Sequence, residues 1–450
     1  MDRPDVLFVV LDSVRVDRVS TYGHARATTP NLDDFAEHAT VFERAFAPAP
    51  WTLPSHTSLF TGMAPTEHGV TNWFVDRPNG LPEDLEPLAS TLASRGYRTA
   101  GFSNNPWVGS LSGLDRGFDE FVEWDLEISR RGDVDPHDRL DRLRSRFHSL
   151  LGLMNRQPIF LLKRRYFTAH LVERAIEWLR ATATDDRPTF TFLNLMEAHS
   201  PYFPPRSSFR ELGLTSPGPT EPRLLNTRLL AYVMGHADLS AAQRERVLEY
   251  YDASLRFQDG KVATLLEALR ATGRFDNTLI VLCSDHGKNL GDIDYNAIPP
   301  HYTRTVNTAV PLVIKAPGQQ VGRREQAPAE LARLHGVITD GYDTPAATVT
   351  TDGFALVEEY SPHTGRERES TTAWRVLTDG EFTYVRSEDG QSFLFRDESD
   401  VPDDSSLRRW LDEALDERLE RLQPAAEGDT TSAEIDGVLE GQLRDLGYLE

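Results

Sequence analysis

Three short segments of this 450-residue chain carry side chains that can do chemistry. The first segment ends an apolar run with a carboxylate, Asp12. The second places the Thr52 hydroxyl just before a Pro-Ser helix start, where free backbone N–H groups and the helix dipole favour an anion. The third is Asp285-His286, two adjacent groups that can ligate a metal, followed by a glycine that lets the chain turn. These residue types indicate anion binding and metal ligation.

Each segment also has a purely structural interpretation. Asp12 is compatible with a capping or ion-paired carboxylate, and a lone threonine at a helix start is more often an N-cap than a nucleophile. The Asp285-His286 pair is harder to explain by packing, because two polar residues after an apolar strand bury no apolar surface. The occurrence of all three segments in one chain, two of them at strand ends, favours a shared site.

Five apolar runs predict the strands that position these groups. Each run is apolar on both faces, as expected in a parallel sheet covered by helices on both sides. The predicted strands are residues 6–11, 99–103, 189–196, 278–284 and 310–315. Because ligands gather at the carboxyl ends of strands in an open α/β sheet, we expect the polar residues that follow the strands to meet at one rim. These residues are Asp12, Asn104, Asn105, Glu197, His199, Asp285 and His286.

The segments between the strands show helical periodicity. Predicted helices cover residues 82–94, 170–183 and about 240–272. The Pro-rich segment 201–239 is weakly patterned and predicts a loop over the active rim.

The C-terminal part of the sequence changes character. Residues 374–377, 382–386 and 392–396 predict a three-stranded meander with Asp-Gly turns, and a charged helix follows at about 405–422. We therefore expect a catalytic domain over residues 1–320, a crossover segment over 321–370 and a small C-terminal α+β subdomain over 371–450.

Composition excludes some classes of function. The formal net charge of −22 argues against non-specific nucleic-acid binding, which needs a basic surface. Since 44 of the 48 basic residues are arginine, the acidic, lysine-poor composition is typical of a halophile-like surface. A single cysteine, Cys283, excludes an intramolecular disulfide. Neither a signal peptide nor a transmembrane segment is expected, so the predicted location is cytoplasmic; the oligomeric state is left open.

The sequence resembles the sulfatase branch of the alkaline phosphatase superfamily. Short matches occur in one order along nearly the whole chain: Asp12, residues 29–33, 50–62, 68–70, 113–119, 197–202, 277–278, 284–287 and 310–315, then the C-terminal meander and the closing Leu-Gly-Tyr-Leu. The resemblance implies an α/β, alkaline-phosphatase-like sandwich. Its central, mostly parallel sheet would be flanked by helices, and a small C-terminal antiparallel α+β subdomain would follow.

Three positions depart from the sulfatase pattern. Sulfatases typically carry the pattern Cys-x-Pro-Ser-Arg around the nucleophile, and the cysteine of this pattern is oxidised to formylglycine. The corresponding residues here, 52–56, are Thr-Leu-Pro-Ser-His. Where sulfatases have two adjacent aspartates, this chain has Asp12 followed by Ser13. Where they have a Gly-Lys-Trp-His segment, it has Asn-Asn-Pro-Trp at residues 104–107. What remains resembles the single-metal site of phosphoglycerol transferases, in which a threonine hydroxyl is the nucleophile.

This resemblance implies a role for each residue of the site. One divalent ion (Mn²⁺, Ca²⁺, Mg²⁺ or Zn²⁺) would be held by Asp12, Thr52, Asp285 and His286. The implied catalytic residues are Thr52 as nucleophile, His56 to orient it or bind the anion, and His199 and His301 to bind oxygens or protonate the leaving group. The implied substrate contacts are Asn105 and Lys288.

The predicted function is a metal-dependent hydrolase or phosphotransferase that acts on a phosphate ester or phosphodiester through Thr52. A sulfuric ester hydrolase is the nearest alternative, and a non-catalytic binding protein on the same fold is the second. The expected substrate is a small-molecule or glycan- or lipid-linked phosphate or sulfate ester. The loops at residues 104–115 and 201–239 are expected to select it.

Overall fold

The structure, a computed structural model, describes residues 3–70, 80–123, 159–233, 236–294, 297, 299–360, 372–401 and 405–424. Its strands are β1 (Asp5–Leu11), β2 (Thr40–Phe42), β3 (Ala45–Phe46), β4 (Arg98–Ser103), β5 (Glu120–Glu123), β6 (Thr189–Leu195), β7 (Thr278–Cys283), β8 (Ala309–Val310), β9 (Leu312–Lys315), β10 (Arg323–Glu325), β11 (Ala329–Glu330), β12 (Ala355–Glu359), β13 (Trp374–Thr378), β14 (Phe382–Ser387), β15 (Ser392–Arg396) and β16 (Ser399–Asp400).

Its helices are α1 (Pro30–Ala36), α2 (Thr52–Thr61), α3 (Pro65–His68), α4 (Leu88–Ser94), α5 (Ile159–Ala181), α6 (Arg206–Glu211), α7 (Glu221–Val233), α8 (Ala241–Ala271), α9 (Thr305–Thr308), α10 (Leu334–Thr339), α11 (Pro345–Val349) and α12 (Ser405–Glu420). Among the described residues, no helix is both long and apolar enough to cross a bilayer.

An eight-stranded sheet forms the centre, in the order β10-β2-β9-β7-β1-β6-β4-β5. Strand β1 lies between β6 and β7 and runs parallel to both. Strand β9 runs antiparallel to β7 and β2. The mostly parallel α/β sheet expected from the sequence is therefore confirmed.

Alternating residues of β1 explain why both faces of this strand are apolar. Val6 and Phe8 pack on one side of the sheet with α2, α4 and α10. Leu7 and Val9 pack on the other side with α5 and α8. Because helices cover both faces, all seven residues of β1 are buried, and after Asp5 the strand is a continuous apolar run.

Pro311 divides the predicted strand 310–315 in two. Proline has no backbone N–H to donate to a sheet ladder, so regular pairing is interrupted there. Val310 pairs with Ala45 in a separate three-stranded sheet, whereas Leu312 pairs with Cys283 in the large one. The interruption thus switches the chain from one sheet to another.

Two further element predictions are corrected by the structure. The segment 201–239 is not simply a loop, since it contains α6 and α7. The predicted helix 82–94 begins only at Leu88, because Pro87 is its extended N-cap. Residues 321–370 also contain regular elements, among them α10, which packs on the α2 side of the large sheet, and β12. The domain boundaries proposed at 320 and 370 remain predictions.

The C-terminal sheet is antiparallel and has five strands, β12 to β16, rather than the three predicted. The predicted helix is present as α12, whose Leu411 and Leu415 pack against this sheet. Helix α12 is also tied to strand β11 by an ion pair of 2.7 Å between Arg418 and Glu330. The closing Leu-Gly-Tyr-Leu segment lies outside the described residues.

Candidate active site

Three buried side chains meet where β1 and β7 end. These strands pair in parallel with Val10 opposite Cys283, so the residues that follow them emerge side by side. One ligand atom each of Asp12, Asp285 and His286 lies within 4.8 Å of the others. The sequence prediction that these groups converge at the carboxyl ends of the strands agrees with this geometry.

The backbone at Ser13 holds the two strand ends together. Ser13 has a φ of 62°, in the left-handed region that a serine rarely adopts. In this conformation its N–H donates to Asp285 Oδ1 at 2.9 Å. Tyr251 of α8 stabilises the turn, because its hydroxyl donates to the Ser13 carbonyl and accepts from the Arg15 N–H, both at 2.8 Å.

Both oxygens of the Asp12 carboxylate accept hydrogen bonds from neighbouring side chains. The Ser13 hydroxyl donates to Oδ1 at 2.8 Å, and Asn105 Nδ2 donates to Oδ2 at 2.7 Å. Asn105 is fixed in turn, because its Oδ1 accepts from the Trp107 N–H at 3.0 Å. The amide expected to contact substrate is thus directed at a candidate metal ligand, and Asn105 positions Asp12.

Thr52 begins α2 and faces the same cluster. Its hydroxyl oxygen lies 3.2 Å from His286 Nε2, and the residue is only 5% exposed. The other ring nitrogen of His286 is 2.6 Å from the Gly287 carbonyl, which can only accept a hydrogen bond. Nδ1 therefore carries the proton in a neutral ring, and Nε2 presents a lone pair toward Thr52. Burial lowers the pKa of the His286 imidazole, which favours this neutral form.

His56 lies one turn further along α2 and is completely buried. Its Nδ1 is 2.9 Å from the Thr52 carbonyl oxygen and 3.5 Å from Asp285 Oδ2. Within the described part of the chain, its Nε2 has no hydrogen-bond partner. The ring therefore contacts the backbone of Thr52 and a carboxylate of the cluster.

The two carboxylates of the cluster differ in proton affinity. Burial raises the pKa of Asp285, and the adjacent Asp12 carboxylate raises it further. Burial also tends to raise the pKa of Asp12, but nearby imidazoles, chiefly His199 and His286, outweigh it and lower the pKa. The pair thus favours one negative charge on Asp12 and resists a second on Asp285.

This cluster fits a divalent cation. Among the described residues, none donates a hydrogen bond to Asp285 Oδ2, although the atom is buried. Its ion-pair contacts are the imidazoles of His56 and His286, at 3.5 and 3.4 Å. A buried carboxylate in this state is costly unless a cation compensates it. Two carboxylates and a neutral imidazole are a suitable donor set for Mn²⁺, Mg²⁺, Ca²⁺ or Zn²⁺.

Two of the other predicted site residues, His199 and Lys288, contact Ser200. His199 follows β6, and its Nδ1 is 2.6 Å from the Ser200 carbonyl oxygen. Lys288 Nζ donates to the Ser200 hydroxyl at 2.8 Å, so both basic side chains contact the same residue. His301 begins the 3₁₀ turn His301–Thr303. Glu197, also expected at the rim, accepts from the Thr168 hydroxyl at 2.6 Å.

Tyr251, which supports the turn at Ser13, was missed as a site residue in the sequence. Tyr251 falls on the apolar stripe of a long helix, where it reads as a core residue. Trp51, the N-cap of α2, directly precedes Thr52 in the sequence. The indole N–H of Trp51 donates to Glu359 at 2.8 Å.

The fold is a mostly parallel α/β sheet with a group of buried side chains suited to one metal ion at the carboxyl ends of its strands. The sequence profile of the sulfatase family matches residues 4–335, and the chain belongs to this family. The sequence-based identification of a sulfatase-family protein of the alkaline phosphatase-like superfamily is thereby confirmed.

Relatives of similar length support this assignment. The chain is 25% identical over 455 residues to an ulvan-active sulfatase from Formosa agariphila, covering 93% of this chain and 82% of the relative. It is 23% identical to an arylsulfatase from Clostridium perfringens, covering 87% and 84%. A solved phosphonate monoester hydrolase from Agrobacterium radiobacter has the same fold, with a TM-score of 0.70, 20% identity and coverage of 93% and 96%. The corresponding enzyme from Silicibacter pomeroyi gives a TM-score of 0.68 at 20% identity.

Proposed function

We propose that this sulfatase-family protein cleaves a phosphate ester or phosphodiester with Thr52 as a covalent nucleophile. The observation that carries the proposal is the position of the Thr52 hydroxyl, 3.2 Å from His286 Nε2 beside the two-carboxylate cluster. A threonine at a helix start needs no such neighbours if it serves only as a cap. Here the hydroxyl is aimed at a group of metal-competent ligands instead.

Asp12, Asp285, His286 and the Thr52 oxygen would hold one divalent ion. When bound, the ion would supply Lewis acidity that lowers the pKa of the Thr52 hydroxyl and offsets charge on the transferring group. The lowered pKa of His286 favours the neutral imidazole that ligation needs. The raised pKa of Asp285 in the metal-free protein opposes its ionisation, so a bound cation would have to compensate the charge of this carboxylate.

In the proposed mechanism, the reaction proceeds through two successive displacements at phosphorus. The Thr52 hydroxyl gives up its proton to solvent, and Oγ1 forms a bond to phosphorus while the bond from phosphorus to the leaving-group oxygen breaks. His199 or His301 gives a proton to that departing oxygen. The first-turn N–H groups of α2 and the Lys288 ammonium favour the anionic group. In the second displacement, the histidine that gave up its proton takes one from water or an alcohol, whose oxygen bonds to phosphorus as the bond from phosphorus to Thr52 Oγ1 breaks. The Thr52 oxygen regains a proton from solvent, and the outcome is hydrolysis with water or transfer with an alcohol.

The threonine nucleophile favours phosphorus over sulfur. A formylglycine hydrate can release sulfate by elimination, without a second attack on sulfur. A threonine ester has no such route and must be displaced. Cys283 does not replace the missing cysteine, because it is buried in β7, where burial raises the pKa of its thiol. Displacement at phosphorus with metal assistance suits this arrangement.

A sulfuric ester hydrolase is the second candidate. It is supported by the curated relatives that match along most of their length, which are named as sulfatases.

A cytoplasmic location and a salt-adapted acidic surface also remain predictions.

The experiment that tests the proposal is a substrate panel at high salt. An aryl phosphate, an aryl phosphodiester, an aryl phosphonate and an aryl sulfate are assayed with Mn²⁺, Mg²⁺, Ca²⁺ and Zn²⁺. We expect the phosphorus esters to turn over faster than the sulfate. Thr52→Ala is expected to lose at least about 10⁴-fold in kcat, as nucleophile removal does in other enzymes.

Two further variants control for damage to α2. Thr52→Ser keeps the hydroxyl and should retain part of the activity. Thr57→Ala is the matched control, because Thr57 is equally buried in the same helix and its hydroxyl donates only to the Leu53 carbonyl, at 2.8 Å. Faster turnover of the aryl sulfate would establish the second candidate, and full activity in Thr52→Ala would refute the nucleophile.

A further inference from the structure

Helix α8 places two polar side chains against the backbone that carries the metal cluster. Tyr251 and Gln258 are 0% and 1% exposed, although each has a polar group at its tip. They lie seven residues apart, about two turns, so both project from the same face of the helix. Because a buried polar group is costly unless it is hydrogen-bonded, the partners of these two side chains indicate what they do.

The Tyr251 hydroxyl holds the backbone on both sides of Val14. It donates to the Ser13 carbonyl and accepts from the Arg15 N–H, both at 2.8 Å. Ser13 has a left-handed backbone conformation, which a serine keeps only where surrounding contacts impose it. Tyr251 supplies two of these contacts, so its hydroxyl helps to fix the direction of the Ser13 N–H.

That N–H determines which oxygen of Asp285 faces the cluster. Oδ1 accepts from two backbone N–H groups, those of Ser13 and His286, both at 2.9 Å. Oδ2 accepts no hydrogen bond from the described residues and lies 3.4 Å from His286 Nε2. The carboxylate is therefore anchored through one oxygen and offers the other to a cation. Its anchor depends on the Ser13 turn, and the turn depends on Tyr251.

Gln258 supports Asp12 through a second backbone group. Its Nε2 donates to the Leu195 carbonyl at 2.8 Å, and the same carbonyl accepts from the Asp12 N–H at 2.9 Å. One oxygen at the end of β6 thus joins the helix to the residue that follows β1. Each carboxylate of the cluster is connected, through one intervening residue, to a side chain of α8.

We propose that Tyr251 and Gln258 are positioning residues of the metal centre, Tyr251 for Asp285 and Gln258 for Asp12. Helix α8 would then set the affinity for the ion without supplying a ligand. This inference rests on the metal site of the proposed function and is independent of Thr52 as nucleophile. A carboxylate that is already held in place loses less conformational freedom when an ion binds, so loosening its support weakens binding.

The test measures metal affinity in variants that keep every ligand. Wild type, Tyr251→Phe and Gln258→Met are freed of metal with a chelator and titrated by calorimetry. The titrant is whichever of Mn²⁺, Mg²⁺, Ca²⁺ and Zn²⁺ the wild type binds most tightly. We expect Kd to rise on the order of tenfold in Tyr251→Phe and about two- to tenfold in Gln258→Met, where the Leu195 carbonyl still accepts from Asp12.

Tyr250→Phe is the matched control, since it removes the same atom from the neighbouring residue. Tyr250 is also 0% exposed, but its ring packs edge-on against Phe209, with centroids 4.9 Å apart, and Arg246 lies 5.1 Å above it. It has no contact with the Ser13 turn among those of the described residues. This variant should bind the ion with the wild-type Kd. Urea denaturation of the metal-free proteins verifies that all four are folded.

Activation by metal distinguishes positioning from a general loss of structure. In Tyr251→Phe the metal concentration for half-maximal turnover of an aryl ester should rise, and kcat at saturating metal should return to near the wild-type value, because every ligand is present. A lower urea midpoint with an unchanged Kd would mean that Tyr251 only stabilises the fold, and would overturn the inference. Equal Kd values in Tyr251→Phe and Tyr250→Phe would overturn it as well.

The remaining outcomes separate this inference from the proposed function. A wild-type Kd in Gln258→Met would overturn the role of Gln258. Wild-type protein that binds none of the four ions would overturn the inference together with the metal site. Full activity in Thr52→Ala would refute only the nucleophile, because the titration contains no substrate.

Discussion

Two fully buried aspartates of this protein, Asp252 and Asp285, are compensated in opposite ways. Asp252 in α8 lies 2.7 Å from Arg18, 2.8 Å from Arg26 and 3.4 Å from His24. Burial tends to raise its pKa, but the hydrogen bond from His24 and the charge of Arg18 outweigh that effect and lower the pKa. This carboxylate is held ionised by residues of the chain itself.

Asp285 has no comparable guanidinium among the described residues. Its charged neighbours are imidazoles and a second carboxylate, Asp12, and its pKa is raised. The charge of a buried carboxylate with internal counter-charges is compensated within the fold, whereas a pair of buried carboxylates without them is relieved by a proton or by a cation from outside. The contrast separates a structural charge cluster from a functional one on physical grounds.

The largest expected effect comes from neutralising each aspartate in turn. Asp285→Asn should reduce turnover to background while the metal-free protein stays folded, because the substitution relieves repulsion from Asp12. Asp252→Asn should lower the free energy of unfolding by about 3–5 kcal/mol, because Arg18 and Arg26 lose their partner. Turnover and urea denaturation distinguish the two. Unfolding of Asp285→Asn together with a stable Asp252→Asn would contradict the comparison.

Removing the metal should lower stability through the Asp285 cluster and leave the Asp252 cluster unaffected. The wild-type protein is first treated with a chelator, and its metal is then added back. Its free energy of unfolding should rise by about 2.7 kcal/mol when the metal concentration is a hundred times Kd. Asp285→Asn should gain much less, because a ligand is missing. Differential scanning calorimetry with and without each metal measures the effect. A similar gain in both proteins would place the cation elsewhere.

Removing the amide that positions Asp12 should have a smaller effect. Asn105→Ala takes away the donor to Asp12 Oδ2 and should weaken metal binding by about 10- to 100-fold, as loss of such supporting groups does elsewhere. Asn104→Ala is the matched control, since in the described part of the chain its Oδ1 accepts no hydrogen bond. Calorimetric titration of the metal-free proteins compares them; equal affinities in the two variants would refute the positioning role of Asn105.

The smallest expected effect is a change of stability with pH. The pKa of Asp252 is lower in the folded than in the unfolded protein, so its contribution is complete above the usual carboxyl range and is lost as pH falls through it. The slope from this one group cannot exceed about 1.4 kcal/mol per pH unit. Acid denaturation of metal-free wild type and Asp252→Asn checks this. The variant should show the shallower dependence, and identical slopes would contradict the assigned charge state.

The sequence predicts the functional cluster better than the structural one. Asp12 and Asp285 are conspicuous because each follows an apolar strand, and parallel neighbours bring such positions together. Asp252 lies among the apolar positions of a long helix, and its partners are distant in sequence. Which arginines reach it depends on tertiary packing, so no local pattern predicts this cluster.

The difference between local sequence patterns and tertiary packing also explains the errors in the predicted fold. The core strands are predicted because helices on both faces require continuous apolar runs. Helices α6 and α7 are missed because the prolines around them suggest a loop, although α7 itself contains four leucines. The second sheet at Val310 and the contact between Trp51 and Glu359 depend on how distant segments pack, which periodicity does not reveal.

The most direct test of the central claim is to trap the covalent intermediate on Thr52. Protein that is turning over an aryl phosphate radiolabelled at phosphorus is quenched in acid, digested and mapped by peptide. The account predicts label on the peptide that contains Thr52 and none in Thr52→Ala. An aryl sulfate labelled at sulfur should leave no comparable label. Label from sulfur on Thr52, or rapid phosphate release with no label on that peptide, would contradict the account.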